Sequence, residues 1–117
     1  MQNYKNLKVW IKAHYFTLEV YKLTEKLPRE ERYGLVNQLR RTSSSIAANI
    51  AEGCGKNTRL DFAHFLNISL GASNEAEYFL LLARDLNYIP DEIYNALERN
   101  INEIKAMLIG LIIKVRT

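Results

Sequence analysis

Residues 32–53, RYGLVNQLRRTSSSIAANIAEG, decide the fold of this chain. Apolar or small side chains recur along the stretch at steps of three and four, which predicts a helix packed along its whole length. These core positions are Val36, Leu39, Ser43, Ile46, Ile50 and Gly53. A stripe of small or polar residues lies beside them: Thr42, Ser45, Asn49 and Glu52. Because Ser and Ala let neighbouring backbones come close, we expect these polar side chains to have hydrogen-bond partners.

Three further segments show the same periodicity, and no strand-like alternation separates them. Pro28 stops the first segment, and Gly53-Cys54-Gly55 is a favourable left-handed signal for ending the second. Thr58 can cap the third, and Pro90 suits the first turn of the fourth. Their predicted core positions are Val9, Ala13, Phe16, Val20, Leu23 and Leu27; then Phe62, Phe65, Ser69, Ala72, Ala76, Phe79, Ala83 and Leu86; then Ile93, Leu97, Ile101, Ile104, Leu108, Leu111 and Val115.

The predicted helices lie at about residues 7–27, 31–53, 59–86 and 91–115. Each spans roughly 30 to 40 Å, and the connections are only a few residues long, so sequential helices become antiparallel neighbours. A period near 3.5 favours shallow crossing angles. The sequence therefore predicts an all-α fold, an antiparallel up-down-up-down four-helix bundle, as one domain over residues 1–117.

Composition and charge describe an ordinary soluble protein, with 48% hydrophobic and 25% charged residues. The net charge of +3 is too small to indicate nucleic-acid binding by itself. Residues 1–59 carry 11 Lys and Arg against 5 acidic residues, whereas residues 60–117 carry 5 against 8. This asymmetry predicts one basic face or head-to-tail pairing. The chain shows neither a signal-peptide core nor an apolar run of about 20 residues, so we expect a cytoplasmic protein without membrane contact.

Candidate chemistry is sparse. The single cysteine, Cys54, excludes an intrachain disulfide or a Cys-based metal site. The segment Asp61-Phe62-Ala63-His64 only distantly approximates the Glu-x-x-His motif of carboxylate-bridged metal sites. The serines at 43–45 have no nearby base or glycine elbow, and no phosphate-binding glycine loop occurs. We therefore expect no enzymatic activity, no catalytic residues, no metal and no cofactor.

Basic residues offer a stronger candidate site. Lysines form one stripe of the first helix with Tyr15 among them, and arginines follow at the turn and along the second helix. This pattern suits contacts with nucleic-acid phosphates and a stacked base. The alternative is a solvated flank of an amphipathic helix, with two of the arginines pairing with Glu52, Glu75 or Glu77 instead. The candidate nucleic-acid-binding residues are Lys8, Lys12, Lys22, Lys26, Arg29, Arg40 and Arg41.

Several apolar residues fall outside the predicted core positions. In the fourth helix, residues 106–113, AMLIGLII, are apolar on every face for two turns. A monomeric bundle would expose much of this surface, which usually marks an interface, although scattered surface apolar residues are common. We expect self-association, with the interface formed by Trp10, Ile11, Leu18, Tyr21, Met107, Ile109 and Ile112.

Three segments together carry a family resemblance. LKVWIKA, RYGLVNQLRRTSSSIAANIAEG and FLNISLGASNEAEYFLLLARDL resemble the four-helix bundle family of 23S ribosomal RNA intervening-sequence proteins. The resemblance implies a ring-like homopentamer. It also implies kinship with the accessory variability protein of diversity-generating retroelements, a basic pentamer that binds nucleic acid and the reverse transcriptase. The modest net charge here departs from those relatives. The matching family positions are Arg40, Arg41, Asn49, Glu52, Gly53 and Glu75.

Two functional hypotheses follow. The first is a non-enzymatic oligomeric bundle, a homopentamer by resemblance, that binds RNA or DNA through a basic surface. The second is a protein–protein interaction scaffold without a nucleic-acid role. The charge asymmetry and the resemblance favour the first.

Overall fold

Four α-helices account for most of the chain in a computed structural model that describes residues 2–117. Two short 3₁₀ turns, Tyr4–Asn6 and Arg29–Glu31, precede the first and second helices, and no strand occurs in the described residues. The predicted all-α fold is therefore confirmed. The helices are α1 (Lys8–Thr24), α2 (Leu35–Cys54), α3 (Arg59–Asp85) and α4 (Asp91–Arg116).

The start of α2 differs from the prediction, because it lies at Leu35 rather than at residue 31. The chain turns through 3₁₀ geometry after Pro28, and Gly34 is not helical, with φ −108° and ψ −107°. Glu31 Oε1 accepts a hydrogen bond of 3.1 Å from the Leu35 amide. Since Gly34 has no side chain to cap the helix, the Glu31 carboxylate satisfies this free N–H group instead.

The left-handed ending predicted for α2 is wrong. Gly55 has φ −85°, and α2 continues through Gly53 to Cys54. A left-handed residue instead follows α3, where Asn87 has φ 64°. The amide of Tyr88 donates to the carbonyl of Ala83 at 2.9 Å, which closes the end of α3 as a Schellman motif.

The four helices form a bundle in which each helix packs against its two neighbours. The contact between α2 and α3 is the most extensive, and that between α1 and α4 is the sparsest. The molecule measures 43 × 23 × 20 Å, so its long axis is close to the length of one long helix. The predicted up-down-up-down bundle is confirmed.

The core follows the predicted positions closely in α1 and drifts from them in α3. All six core residues predicted for the first helix are buried, including Leu27, which follows the end of α1. In α3, the fully buried Leu66 and Leu80 were missed, while Leu86, which follows the end of the helix, is 45% exposed. A straight helix has 3.6 residues per turn, so a strict 3.5 repeat loses register over 27 residues. For the same reason Tyr94 is buried at the start of α4, where Ile93 was predicted.

Small residues bring α2 and α3 together. A Cβ atom at Gly53 would lie 3.0 Å from both Phe62 Cδ1 and Phe65 Cβ. Ser69 Oγ of α3 donates a hydrogen bond of 2.7 Å to the Ile46 carbonyl of α2. Ala76 is fully buried farther along α3. The close approach expected from the Ser- and Ala-rich sequence of α2 is present at this interface.

Candidate nucleic-acid interface

The predicted basic stripe lies on the exposed side of α1. Lys8, Lys22 and Lys26 are exposed, as is Arg29 in the following 3₁₀ turn. Lys22 Nζ lies 3.9 Å from Glu19 Oε1, whereas Lys8 and Lys26 form no ion pair with any described residue. Fourteen residues separate Lys8 from Lys22, or about 21 Å along the helix. These four cations are accessible to an anionic ligand but extend over half the length of the bundle.

Lys12 is the exception on this stripe. Its ammonium group donates a hydrogen bond of 2.8 Å to Glu103 Oε2 of α4. That hydrogen bond and the positive charge of Lys12 lower the pKa of the Glu103 carboxyl. Because its charge is already compensated, Lys12 is a weaker phosphate ligand than its neighbours on α1.

The consecutive arginines of α2 face different helices. Arg40 Nε donates to Thr24 Oγ1 at 2.8 Å, and its Nη2 donates to the Tyr21 carbonyl at 3.3 Å. The guanidinium also lies over the Tyr21 ring, 4.5 Å from its centroid. Arg40 therefore holds the C-terminal turn of α1 without a carboxylate partner, where a positive charge interacts favourably with the helix dipole.

Arg41 reaches α3 instead. It donates to Gln38 Oε1 through Nε at 3.2 Å and through Nη2 at 2.8 Å, and Nη2 also lies 3.1 Å from Glu75 Oε2. Glu77, another suggested partner, binds Lys105 of α4 at 2.6 Å. The structure thus brings together Arg41 and Glu75, two of the family positions, and separates both from Arg40.

The polar stripe of α2 is only partly hydrogen-bonded. Asn49 Nδ2 donates to the carbonyl and hydroxyl oxygens of Ser45 at 2.8 and 2.9 Å, as expected for a partnered side chain. Glu52 is exposed, and its closest cation is Lys56 Nζ at 3.9 Å. The expectation that Glu52 is hydrogen-bonded is therefore wrong. Its side chain lies near the end of α2 and is exposed to solvent.

The predicted interface residues divide into exposed and buried groups. Ile112 is only 6% exposed and belongs to the core, so its assignment to an intermolecular surface is corrected. It follows Leu108 by four residues on the inward side of α4, while Ile113, not predicted, is 61% exposed. Met107 is half-buried against the core, and Trp10 stacks on His14 with centroids 5.0 Å apart. The exposed members are Ile11, Leu18, Tyr21 and Ile109.

The fold groups basic residues at both ends of the bundle, and those at the end away from the α1–α2 turn were not predicted from the sequence. Arg32, with Arg29 and Arg40, lines a cavity of about 350 Å³ at the turn between α1 and α2, which Glu25 also lines. Lys5, Lys56, Arg59, Lys114 and Arg116 lie near the helix ends far from this turn. The spacing of these five residues in the sequence does not predict that they are grouped. Only the antiparallel packing of the helices places them at the same end of the bundle.

Other chemistry is sparse in the described structure. Cys54 is buried, and burial raises the pKa of its thiol, which disfavours the reactive thiolate. Residues 2–117 contain no group of three His, Cys, Asp or Glu side chains placed to hold a metal ion. None of the helices in this part of the chain is both long and apolar enough to span a bilayer.

Known proteins resemble this chain in sequence and in fold. Residues 5–110 match the profile of the family described as 23S rRNA-intervening sequence protein. The chain is also similar to a Bacteroides thetaiotaomicron protein of unknown function from the S23 ribosomal protein family, whose crystal structure was solved at 1.70 Å. The TM-score is 0.83 and the identity 34%, over 89% of this chain and 94% of that one. No curated protein matches this chain.

Proposed function

This chain belongs to the family of 23S rRNA-intervening sequence proteins, and on that premise we propose that it is a non-enzymatic, self-associating helical bundle that binds RNA or DNA through exposed basic residues. The family description links these proteins to ribosomal RNA, while the solved relative has no known function. The proposed site of action is the cytoplasm, where ribosomal RNA is found.

The observation behind the proposal is the uncompensated charge on α1 and in the turn that follows it. Lys8 and Lys26 are exposed and have no acidic partner in the described chain, so binding a phosphate would not break an existing ion pair. Tyr15 is 62% exposed between them and offers a ring for base stacking. Exposed cations beside an exposed aromatic ring suit a ligand with both phosphates and bases.

Self-association would strengthen such binding. Ile11 and Leu18 are 38% and 43% exposed on α1, and Ile109 is 48% exposed on α4, which is typical of helix faces that another protein surface covers. We propose a homopentamer, following the family resemblance. Five copies would carry a charge of +15, because each chain has a net charge of +3. Repeated weak sites on one particle then act together on one nucleic-acid strand.

The same apolar surface favours a second candidate function. A protein–protein scaffold would use the exposed side chains of α1 and α4 to hold a different protein and would have no need of the lysines. The two functions differ in a single measurable property, because only the first depends on positive charge.

Fluorescence anisotropy with a labelled structured RNA and a labelled DNA duplex tests the proposal at about 20 mM and about 150 mM salt. Each neutralised phosphate contributes a slope of about −0.7 to −0.9 to log affinity against log salt. Replacing Lys8, Lys22 and Lys26 with Glu should weaken binding while the protein stays folded, because none of these lysines forms an ion pair with another helix. No binding at low salt, or binding insensitive to both salt and the triple replacement, would support the scaffold instead.

A further inference from the structure

The antiparallel fold gathers helix ends that are distant in sequence. The Gln2 amide donates to the Cys54 carbonyl at 3.2 Å, so the N-terminal segment meets the end of α2 and the turn into α3. At the opposite end, Tyr88 OH donates to Glu31 Oε2 at 3.0 Å, which joins the α3–α4 connection to the α1–α2 turn. Helix α4 starts there and runs for 26 residues, about 39 Å, nearly the whole 43 Å axis. Its last turn therefore lies at the same end of the bundle as the N-terminal segment, which itself packs on α1 and α2.

Formal charge is distributed unevenly between these two ends. The basic end carries net +4, the opposite end, here called the turn end, is neutral, and the middle of the bundle carries −1. The charged residues of the basic end are Lys5, Lys8, Lys56, Arg59, Lys114 and Arg116 with Glu52 and Asp61. Those of the turn end are Lys22, Lys26, Arg29, Arg32, Arg40 and Arg84 with Glu25, Glu30, Glu31, Asp85, Asp91 and Glu92.

The two ends therefore differ in how they would receive a phosphate chain. At the turn end, acidic residues balance the basic ones, and Arg84 is bound to Asp85 at 3.1 Å. A polyanion there meets repulsion as well as attraction. At the basic end, the only ion pair among described residues is the long contact between Lys56 and Glu52, 3.9 Å. A net positive charge gathered at one end of a molecule attracts polyanions more strongly than isolated lysines do.

Aromatic rings lie next to the basic end. The centroids of the Trp10 and Tyr4 rings are 5.0 Å apart, and the two rings meet edge-on. The centroids of the Trp10 and His14 rings are also 5.0 Å apart, and these rings are stacked with an interplanar angle of 5°. Lys5 Nζ lies 5.9 Å from the Tyr4 centroid. His14 is exposed, so the stack of rings reaches the surface. Unpaired bases stack on aromatic rings of this kind, whereas bases within a duplex do not present their faces.

We propose that the basic end is the nucleic-acid-binding surface and that it takes a single-stranded segment, with phosphates on its cations and a base on the Tyr4–Trp10–His14 stack. This inference rests on the proposed function and locates it. It places the centre of the binding surface at the basic end of the bundle rather than along α1. Lys8 belongs to both surfaces.

Two variants with equal changes in charge test this location. In the end variant, Lys56, Arg59, Lys114 and Arg116 become Glu; in the turn variant, Lys22, Lys26, Arg29 and Arg32 become Glu. Each set replaces four cations with four anions, so any difference in affinity comes from position. Affinity for a labelled single-stranded RNA of about 20 nucleotides is measured by anisotropy from low to physiological salt. Circular dichroism and thermal melting establish that each variant is folded.

We expect the end variant to lose at least about tenfold in affinity at low salt and the turn variant less than about threefold. The salt slope of the end variant should be shallower by about 3, since four phosphate contacts are lost. Lys114→Gln with Arg116→Gln, compared with Lys22→Gln with Lys26→Gln, repeats the comparison with milder changes if a reversal impairs folding. Equal losses of affinity in the two variants, or a larger loss in the turn variant, would overturn the proposed location of the binding surface. Either result would leave nucleic-acid binding itself intact.

Trp10 gives an independent readout because it is the single tryptophan of the chain. Its emission should be quenched when the single strand binds, and a duplex of the same sequence should bind more weakly. Binding that leaves the emission unchanged, or a preference for duplex, would overturn the assignment of the aromatic stack. An end variant that changes the mass in light scattering while keeping its RNA affinity would show that this end joins copies of the chain. Absence of binding by the wild-type protein would overturn the proposed function itself.

Discussion

Lys12 Nζ of α1 lies 2.8 Å from Glu103 Oε2 of α4, and this ion pair spans the sparsest helix–helix interface of the bundle. The first and last helices have no connecting loop, so side-chain contacts alone hold them together. Both side chains remain about half exposed, at 49% and 56%. Water and salt therefore weaken the pair, and the α1–α4 interface is the place where we expect the bundle to open first.

Replacing Glu103 with Gln should lower the urea midpoint modestly at pH 7 and by less near pH 3. Lys12 lowers the pKa of Glu103 in the folded state below its ordinary value of 4.5. The pair therefore contributes stability above pH 4.5, and this contribution is lost as the pH falls through the folded-state pKa. Urea denaturation at both pH values checks the prediction; an equal effect at pH 3 would show that packing, not charge, is responsible.

Replacing Gly53 with Ala should destabilise the protein by about 1–3 kcal/mol, although alanine is the better helix former. The new Cβ would lie 3.0 Å from two phenylalanine side chains and 3.3 Å from the Phe62 carbonyl oxygen, which is backbone and cannot move aside. Gly71 in α3 is the matched control, since its added Cβ meets nothing within 4 Å. Gly71→Ala should stabilise by about 0.5–1 kcal/mol. Thermal melts that move in the same direction would contradict this account.

Replacing Arg40 with Lys should cost more stability than replacing Arg41 with Lys. Lysine cannot reproduce the hydrogen bonds to Thr24 and the Tyr21 carbonyl together with the stacking on the Tyr21 ring, so we expect a loss of about 1–2 kcal/mol. The Arg41 side chain is 54% exposed, and its pair with Glu75 should contribute less than about 1 kcal/mol. Guanidinium chloride denaturation of both variants makes the comparison, and equal losses would show that Arg40 does not anchor α1.

Raising the pH from 10 to about 12 should destabilise the wild-type protein more than the Tyr94→Phe variant. Burial, and next the hydrogen bond to Glu98, raise the pKa of Tyr94 to about 12 from its ordinary value of 10.0. A raised folded-state pKa contributes stability below pH 10 that is lost as the pH approaches 12, because only the unfolded chain ionises freely. Urea midpoints at pH 9 and pH 11 measure this, and parallel losses in both proteins would contradict it.

Static light scattering at micromolar concentration should give a mass several times 13.6 kDa. Leu18→Asp and Ile109→Asp should each lower that mass, because both side chains belong to the proposed interface. Leu60→Asp is the control: Leu60 is 78% exposed but lies at the start of α3, outside the proposed interface. A clean monomer at all concentrations would contradict self-association and, with it, the pentamer.

The four helices and most of the core of α1 and α2 could be predicted from the order of the amino acids. Val9, Ala13 and Phe16 are buried as predicted because a helix places every third or fourth residue on one side whatever it packs against. The same rule applied with a period of 3.5 failed over the longer α3, where Leu66 and Leu80 fill the core. The start of α2 was missed too, since Glu31 acts as a cap only after the chain has turned.

The positions of the charged side chains relative to one another depend on the packing of the helices. Arg40 and Arg41 are adjacent in sequence, but a rotation of 100° per residue sends one to α1 and the other to α3. Lys56 and Lys114 are 58 positions apart, yet antiparallel packing places both at the basic end. The periodicity of the sequence describes one helix at a time. The net charge at the basic end depends instead on how all four helices align, which is a property of the packed bundle.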